Sequence, residues 1–95
     1  MRIATGIFFN ITMIQHFEYH PVGTCCKLMT FTLDDNRIVD VQFVGGCHGN
    51  LQGIASLVKG MTKEEVIARL KGIRCGNKTT SCPDQFSLAL SQVAD

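Results

Sequence analysis

Alternation of apolar and polar residues is the most regular pattern in the first half of the chain. It runs from Phe9 to Tyr19 with a break at Ile14 and Gln15. A second alternation, in which every other residue is apolar, lies on both sides of the polar tetrapeptide Asp34-Asp35-Asn36-Arg37. Its apolar positions are Met29, Phe31, Leu33, Val39, Val41 and Phe43. A period of two is typical of half-buried strands. The pattern predicts a strand that ends near Tyr19 and a hairpin over residues 27–44, with those six side chains facing inward.

Helical spacing replaces this alternation in the second half. Apolar residues recur three or four positions apart in three stretches: Leu51 to Val58, Val66 to Leu70 and Phe86 to Val93. Glycines at positions 60 and 72 follow the first two stretches and are expected to end their helices. Strands followed by helices predict an α+β fold, with a three-stranded antiparallel sheet and about three helices packed on one of its faces.

Two of the predicted helices have capping residues at their start. Thr62 and Glu65 have the spacing of a capping box. Ser81 has the residue type of an N-cap, which makes Cys82 the first helical residue and Asp84 the third. The free N–H groups and the positive dipole end of a helix stabilise a thiolate. Cys82 is therefore predicted to favour the form that binds metals and attacks electrophiles.

Composition excludes several classes of function. The chain of 95 residues has a net charge of +1 and 18% charged residues, so we interpret residues 1–95 as one small domain without a basic nucleic-acid-binding stripe. The longest apolar stretch, GIFFNITMI, is interrupted by Asn10 and Thr12 and is shorter than the roughly 20 residues of a membrane span. It also lacks a signal-peptide cleavage site. We expect a cytoplasmic protein that binds neither nucleic acid nor membranes.

Five cysteines are the main chemical feature of the chain. In a reducing compartment, several thiols more often bind metal or take part in redox chemistry than form structural disulfides. We expect all five to lie outside the core stripes of strands and helices, which favours a shared site over inert, buried thiols: Cys25, Cys26, Cys47, Cys75 and Cys82. His48, beside Cys47, is an alternate ligand. No C-x-x-C pair is present, so the spacing alone indicates neither a zinc ribbon nor a thioredoxin-type dithiol.

The string Thr80-Ser81-Cys82-Pro83-Asp84 resembles the signature of the TSCPD domain family. The similarity covers most of the chain and continues through these segments: His20-Pro21-Val22-Gly23-Thr24-Cys25, Val44-Gly45-Gly46-Cys47-His48-Gly49-Asn50-Leu51, Leu57-Val58-Lys59-Gly60-Met61 and Lys71-Gly72-Ile73-Arg74-Cys75-Gly76. The first dozen residues fall outside it, and Met13 lies close to where such small proteins usually begin. Residues 1–12 are therefore expected to be an upstream extension.

The resemblance implies a metal site with Cys25, Cys47, Cys75 and Cys82 as ligands, in which Cys26 also fits the first position. Zinc is the implied metal, and iron or an iron-sulfur cluster is the alternative. Members of this family occur at the C-terminus of ribonucleoside-diphosphate reductase large chains and as small separate proteins. The implied role is an accessory to deoxyribonucleotide synthesis, with a ribonucleotide reductase chain as partner. A complete reductase does not fit in 95 residues.

A fainter similarity links the chain to U-type iron-sulfur cluster scaffold proteins. It rests on the hairpin, the glycine-flanked Cys47 before a helix, the step Lys59-Gly60-Met61-Thr62 and the late Cys82. It implies the same arrangement of sheet and helices. The aspartate that scaffolds carry two residues after their first cysteine is missing, because Lys27 and Leu28 occupy those positions.

Two other functions remain open at this point. One is a thiol redox donor or iron-sulfur cluster carrier, and the redox role would use Cys25 with Cys26, or Cys75 with Cys82, as the exchanging pair. The other is a protein-interaction domain in which the cysteines are structural.

Overall fold

The computed structural model describes residues 2–3, 7–8, 13–46 and 48–93, and five β-strands and three α-helices lie within these ranges. The strands are β1 (Arg2–Ile3), β2 (Ile7–Phe8), β3 (Met13–Tyr19), β4 (Cys26–Asp34) and β5 (Arg37–Gly45). The helices are α1 (His48–Val58), α2 (Lys63–Leu70) and α3 (Cys82–Ser91). None of these helices is long and apolar enough to cross a membrane.

The three long strands form an antiparallel sheet with β4 between β3 and β5. The predicted hairpin is confirmed, and Asp35 in its turn adopts a positive φ of 58°. The predicted first strand is confirmed from Met13 to Tyr19, including Ile14 and Gln15, while residues 9–12 lie outside the described residues. The two-residue strands β1 and β2, which no pattern predicted, pair with β3.

An aromatic cluster joins the sheet to α3. Phe86 of α3 is fully buried and meets Phe31 and Phe43 edge-on, with ring centroids 5.4 and 5.7 Å apart. Phe17 stacks on Phe31 from the neighbouring strand at 5.1 Å. The helices also bury Leu51, Val58, Val66 and Leu90 in the same core. The α+β arrangement of a three-stranded antiparallel sheet followed by three helices is therefore as predicted.

The capping residues behave as their spacing predicts. The Thr62 hydroxyl accepts a hydrogen bond from the Glu65 N–H at 3.2 Å, and the Glu65 carboxylate accepts one from the Thr62 N–H at 3.0 Å. The Ser81 hydroxyl accepts from the Asp84 N–H at 3.1 Å, so Cys82 is the first residue of α3. Each cap satisfies donors that a helix leaves unpaired in its first turn.

A register shift in β5 overturns one prediction about the core. Leu33 pairs with Ile38, but Thr32 pairs with Asp40, so β5 carries an extra residue here. A one-residue shift exchanges the two faces of a strand. Ile38 is consequently buried at 1% exposure and Val39 is 45% exposed. The prediction that Val39 faces inward is wrong, whereas the other five predicted side chains do face the core.

A second shift, in β4, turns a cysteine inward. Cys26 pairs with Gly45 and Leu28 pairs with Val44, which leaves Lys27 as the extra residue. Strict alternation would place Cys26 on the same face as Leu28, but the bulge turns it to the opposite face, where it is 2% exposed. The expectation that no cysteine lies on a core stripe is therefore wrong for Cys26. It is also wrong for Cys82, which is 8% exposed and belongs to the core cluster with Phe86 and Leu90 of the same helix.

Truncating the central ring of the aromatic cluster should be costly. Phe86→Ala should lower the free energy of unfolding by about 3–5 kcal/mol, because it leaves a cavity under the sheet. Leu88→Ala, on the exposed side of the same helix, is the matched control and should cost less than about 1 kcal/mol. Urea unfolding followed by circular dichroism measures both values. Equal losses in the two variants would contradict this account of the core.

Candidate functional site

A cavity of about 540 Å³ brings together cysteines that are distant in the sequence. It lies between α1, the first turn of α3 and two loops, residues 20–25 before β4 and residues 71–81 after α2. Three of the four cysteines that the structure describes border it, namely Cys25, Cys75 and Cys82. Three of the four predicted ligands thus line one cavity.

Cys82 lies at the start of α3. It is the first residue of α3 and is 8% exposed, with its side chain at the boundary between the hydrophobic core and the cavity. The first turn carries the positive end of the helix dipole, although Pro83 has no N–H and the Asp84 N–H is bonded to the Ser81 hydroxyl. The preference of Cys82 for the thiolate form stays a prediction, and its location at the helix start is confirmed.

Cys25 and Cys26 are neighbours in sequence but differ in environment. Cys25 is exposed in the loop before β4 and borders the cavity. Cys26 is buried in β4, and its thiol donates a hydrogen bond to the Leu28 carbonyl at 3.4 Å. Burial raises the pKa of the Cys26 thiol, and the adjacent Cys82 thiol raises it further. Cys26 is therefore harder to ionise than a solvated thiol.

Cys75 is held in a tight loop at the edge of the cavity. Its N–H donates to the Thr80 carbonyl at 3.1 Å, and its own carbonyl accepts from the Lys78 N–H at 3.0 Å. Gly76 in this turn has a φ of 58°, which glycine adopts without strain. These bonds fix the backbone of Cys75 and leave its thiol exposed.

Cys47 lies outside the described residues, so its predicted role as a ligand stays a prediction. His48, the alternate ligand, is exposed at the start of α1, and its ring is hydrogen-bonded to the Gln52 amide at 2.9 Å. It borders a second cavity, beside Val41 and Phe43, and not the one that holds the cysteines. Within ranges 13–46 and 48–93, no three His, Cys, Asp or Glu side chains are close enough to hold a metal ion together.

A buried amide ties the Cys25 loop to α3. The side-chain oxygen of Gln85 accepts hydrogen bonds from the Val22 N–H at 3.0 Å and the Tyr19 hydroxyl at 3.2 Å. Its amide nitrogen donates to the Thr80 hydroxyl at 3.1 Å. Sequence reasoning missed Gln85. The available signal was a polar residue three positions after Cys82, within the buried stripe of the helix.

A buried carboxylate ties the segment that carries Cys75, residues 72–80, to the same helix turn. Asp84 accepts hydrogen bonds from the Gly72 N–H at 2.7 Å and the Thr80 hydroxyl at 2.6 Å. The Ser81 hydroxyl donates to the Ile73 carbonyl at 2.6 Å. The Thr80 and Gly72 hydrogen bonds lower the pKa of Asp84 although burial opposes them. Asp84 is therefore ionised over the physiological range and holds both ends of the segment.

Removing the charge of Asp84 should destabilise the fold in a pH-dependent way. Asp84→Asn should lower the free energy of unfolding by about 1–3 kcal/mol at pH 7, because it removes hydrogen bonds to a buried charge. A carboxyl group whose pKa is lower in the folded state than in the unfolded state stabilises the folded protein. This stabilisation is complete above the pKa of the unfolded state, about 3.9, and is lost as the pH falls through the pKa of the folded state. The difference from wild type should thus be constant down to about pH 4.5 and shrink below it.

Urea unfolding at a series of pH values measures this difference. Asp40→Asn is the matched control, because Asp40 has only a solvent-exposed ion pair with Lys59 at 3.8 Å. A loss of unfolding free energy in Asp84→Asn that stays the same down to pH 3, or that equals the loss in Asp40→Asn, would contradict a stabilising role for the Asp84 charge.

The thiols should differ in reactivity according to their burial. In metal-free native protein, iodoacetamide should alkylate Cys25 and Cys75 at least about tenfold faster than Cys26, which is buried and has a raised pKa. Peptide mass spectrometry of timed samples measures the order. In urea the three rates should converge. Labelling of Cys26 as fast as Cys75 in the native protein would refute the described burial.

The signature residues lie within a stretch of the chain that matches the model of a known protein family. The family model of the TSCPD domain matches residues 11–94, nearly the whole chain. Searches of curated proteins and of solved structures found no match. In the structure the signature forms the end of the Cys75 segment and the first turn of α3, where Ser81 caps the helix and Asp84 closes the loop. The chain belongs to the TSCPD domain family.

Proposed function

We propose that this protein is a metal-binding accessory domain in which Cys25, Cys47, Cys75 and Cys82 hold one zinc ion. The observation that supports it most is the shared cavity, since Cys25, Cys75 and Cys82 border it from three separate segments. These thiols are not close enough to hold an ion together in the described structure, so metal binding requires their loops to move inward. Thiolates are the ligands that zinc prefers in structural sites, with tetrahedral geometry. Iron or an iron-sulfur cluster is the alternative occupant of the same ligands.

The surroundings of these thiols favour the negatively charged thiolate form, which metal binding requires. A thiol must lose its proton to become a ligand, and four thiolates around Zn²⁺ carry a net negative charge. The described residues that line the cavity include Arg74 and Lys78 but no acidic side chain. The N-terminal turn of α3 adds its dipole at Cys82. This positive environment would offset the charge of a thiolate site.

The different environments of Cys25 and Cys26 support Cys25 as the first ligand. Cys25 is exposed at the cavity, whereas the Cys26 thiol is buried and its pKa is raised by burial. The cost of ionising a buried thiol without a metal makes Cys26 the weaker candidate. His48, on the side of α1 that borders the second cavity, is the other alternate.

Elemental analysis of protein purified without air tests the metal site. Wild type should contain about one zinc ion per chain. Cys25→Ala, Cys47→Ala, Cys75→Ala and Cys82→Ala should each lower the zinc content, because each removes one ligand. Cys26→Ala is the matched control and should retain zinc. A folded, metal-free wild type with every thiol titratable would contradict the proposal.

The proposed biological setting is deoxyribonucleotide synthesis, beside a ribonucleotide reductase chain. Membership of the TSCPD family supports it, because the resemblance implies a domain of the kind that occurs at the C-terminus of reductase large chains. Mixing the full chain with a purified reductase large chain tests the association by size-exclusion chromatography. Co-elution is the expected result, and separate elution of both proteins at micromolar concentration would argue against this partner.

A thiol redox role is the second candidate, and the contact between Cys26 and Cys82 favours it. Two adjacent thiols can reduce an acceptor disulfide by transferring two electrons and two protons, and form a disulfide of their own. Non-reducing peptide mapping after exposure to oxidised glutathione tests this role. A bond between Cys26 and Cys82 that thioredoxin-type reductants reverse would support it, and oxidation confined to exposed Cys25 and Cys75 would exclude this pair.

A further inference from the structure

The cavity is larger than a four-thiolate metal site requires. Such a site encloses a single ion with metal-sulfur distances of about 2.3 Å. The cavity has a volume of about 540 Å³ and extends along α1 past Gly49, Gly53 and Leu57. This volume falls within the range of pockets that hold small organic molecules, roughly 300–1,000 Å³. Most of the space therefore has no role in metal binding.

The wall formed by α1 is unusually open and apolar. Gly49 and Gly53 both line the cavity, and a Cβ placed on either would have no atom within 4 Å. Leu57, on the same wall, is 78% exposed, and Ile73 opposite is 42% exposed. Exposed apolar side chains that surround a concave space are typical of ligand-binding surfaces. This wall would gain stability if an apolar body covered it.

The charged residues that line the cavity have one sign. Arg74 and Lys78 are the charged side chains among the described lining residues, and neither is within ion-pair distance of an acidic group in the described part of the chain, although the Arg74 charge helps to lower the pKa of Asp84. The first turns of α1 and α3 also border the cavity through Asn50 and Cys82. The positive dipole ends at helix starts favour anions, as do the two cations. The cavity therefore combines an apolar wall with a positive rim.

We propose that this cavity binds a small amphipathic anion, with an aliphatic or aromatic body against Gly53 and Leu57 and a carboxylate or phosphate head beside Arg74 and Lys78. Apolar burial supplies the affinity, and the cations select the sign of the head group. The binding goes beyond the proposed metal site and does not require a metal, because the apolar wall is formed by α1 and not by the cysteines.

Decanoate is a suitable probe, since it has a ten-carbon chain and a single carboxylate. Titration of the ¹⁵N-labelled full chain with decanoate below its micellar concentration should give saturable shifts of the Gly49, Gly53 and Lys78 amide resonances. Decyltrimethylammonium has an alkyl chain only one carbon longer and a positive head, and should bind at least tenfold more weakly. Equal binding of both probes would overturn the assigned selectivity for anions.

Filling the gap on α1 should block binding without loss of the fold. Gly53→Leu places a side chain in the open space and should weaken decanoate binding at least tenfold. Ser56→Leu adds the same side chain to the same helix outside the cavity and is the matched control. The unfolding midpoint of each variant confirms that it is folded. Unchanged decanoate affinity in folded Gly53→Leu would overturn the assigned wall.

Removing the cations tests the head-group position separately. The double change Arg74→Gln and Lys78→Gln should weaken decanoate binding about tenfold and strengthen decyltrimethylammonium binding, because it removes the attraction for one head group and the repulsion of the other. Lys59→Gln with Arg69→Gln removes two cations elsewhere and should have no effect. Shifts scattered over the whole molecule, without saturation, would identify decanoate as a non-specific detergent and overturn the proposal.

These outcomes are independent of the outcome for the metal site. Decanoate titrations run on chelator-treated protein should saturate, and elemental analysis of separate, zinc-treated protein reports whether zinc is bound. Loss of zinc binding with intact decanoate binding would refute the metal site alone. Intact zinc binding without decanoate binding would refute the amphipathic anion alone.

Discussion

The buried hydrogen bonds in the first turn of α3 are the constraint on which the candidate site depends. Asp84 and Gln85 are each less than a tenth exposed, yet both side chains are hydrogen-bonded to backbone N–H groups of irregular loops. A buried polar group without a partner costs about 1–3 kcal/mol, so these bonds are strongly favoured once the helix packs. The loops that carry Cys25 and Cys75 are thereby fixed to the helix that begins with Cys82.

The same helix connects this polar turn to the hydrophobic core. One turn beyond Cys82, the Phe86 ring lies between Phe31 and Phe43, which belong to neighbouring strands of the sheet. The position of α3 therefore follows from close packing of aromatic rings, and the position of the loops follows from α3. Changes deep in the core are expected to move the thiols, although no ring of this cluster lines their cavity.

The bulge at the start of β4 gives two adjacent cysteines different chemistry. Cys25 remains in the exposed loop, and the extra residue Lys27 turns Cys26 into the core beside Cys82. The backbone at Gly45 permits this arrangement, because a Cβ there would stand 3.1 Å from the Cys25 carbonyl and the φ of 83° suits glycine. One thiol is consequently available to the cavity and the other is held protonated by burial.

The sequence by itself determined the long strands, the three helices, the N-caps of α2 and α3 and the helix-start position of Cys82. These features follow from periodicity and local capping, which depend on residues close together in the chain. Only the tertiary structure decided the inward turn of Cys26, the exposure of Val39, the buried hydrogen bonds of Gln85 and the apolar cavity. Bulges depend on pairing with another strand, and a cavity depends on how distant elements pack, so neither has a local signature.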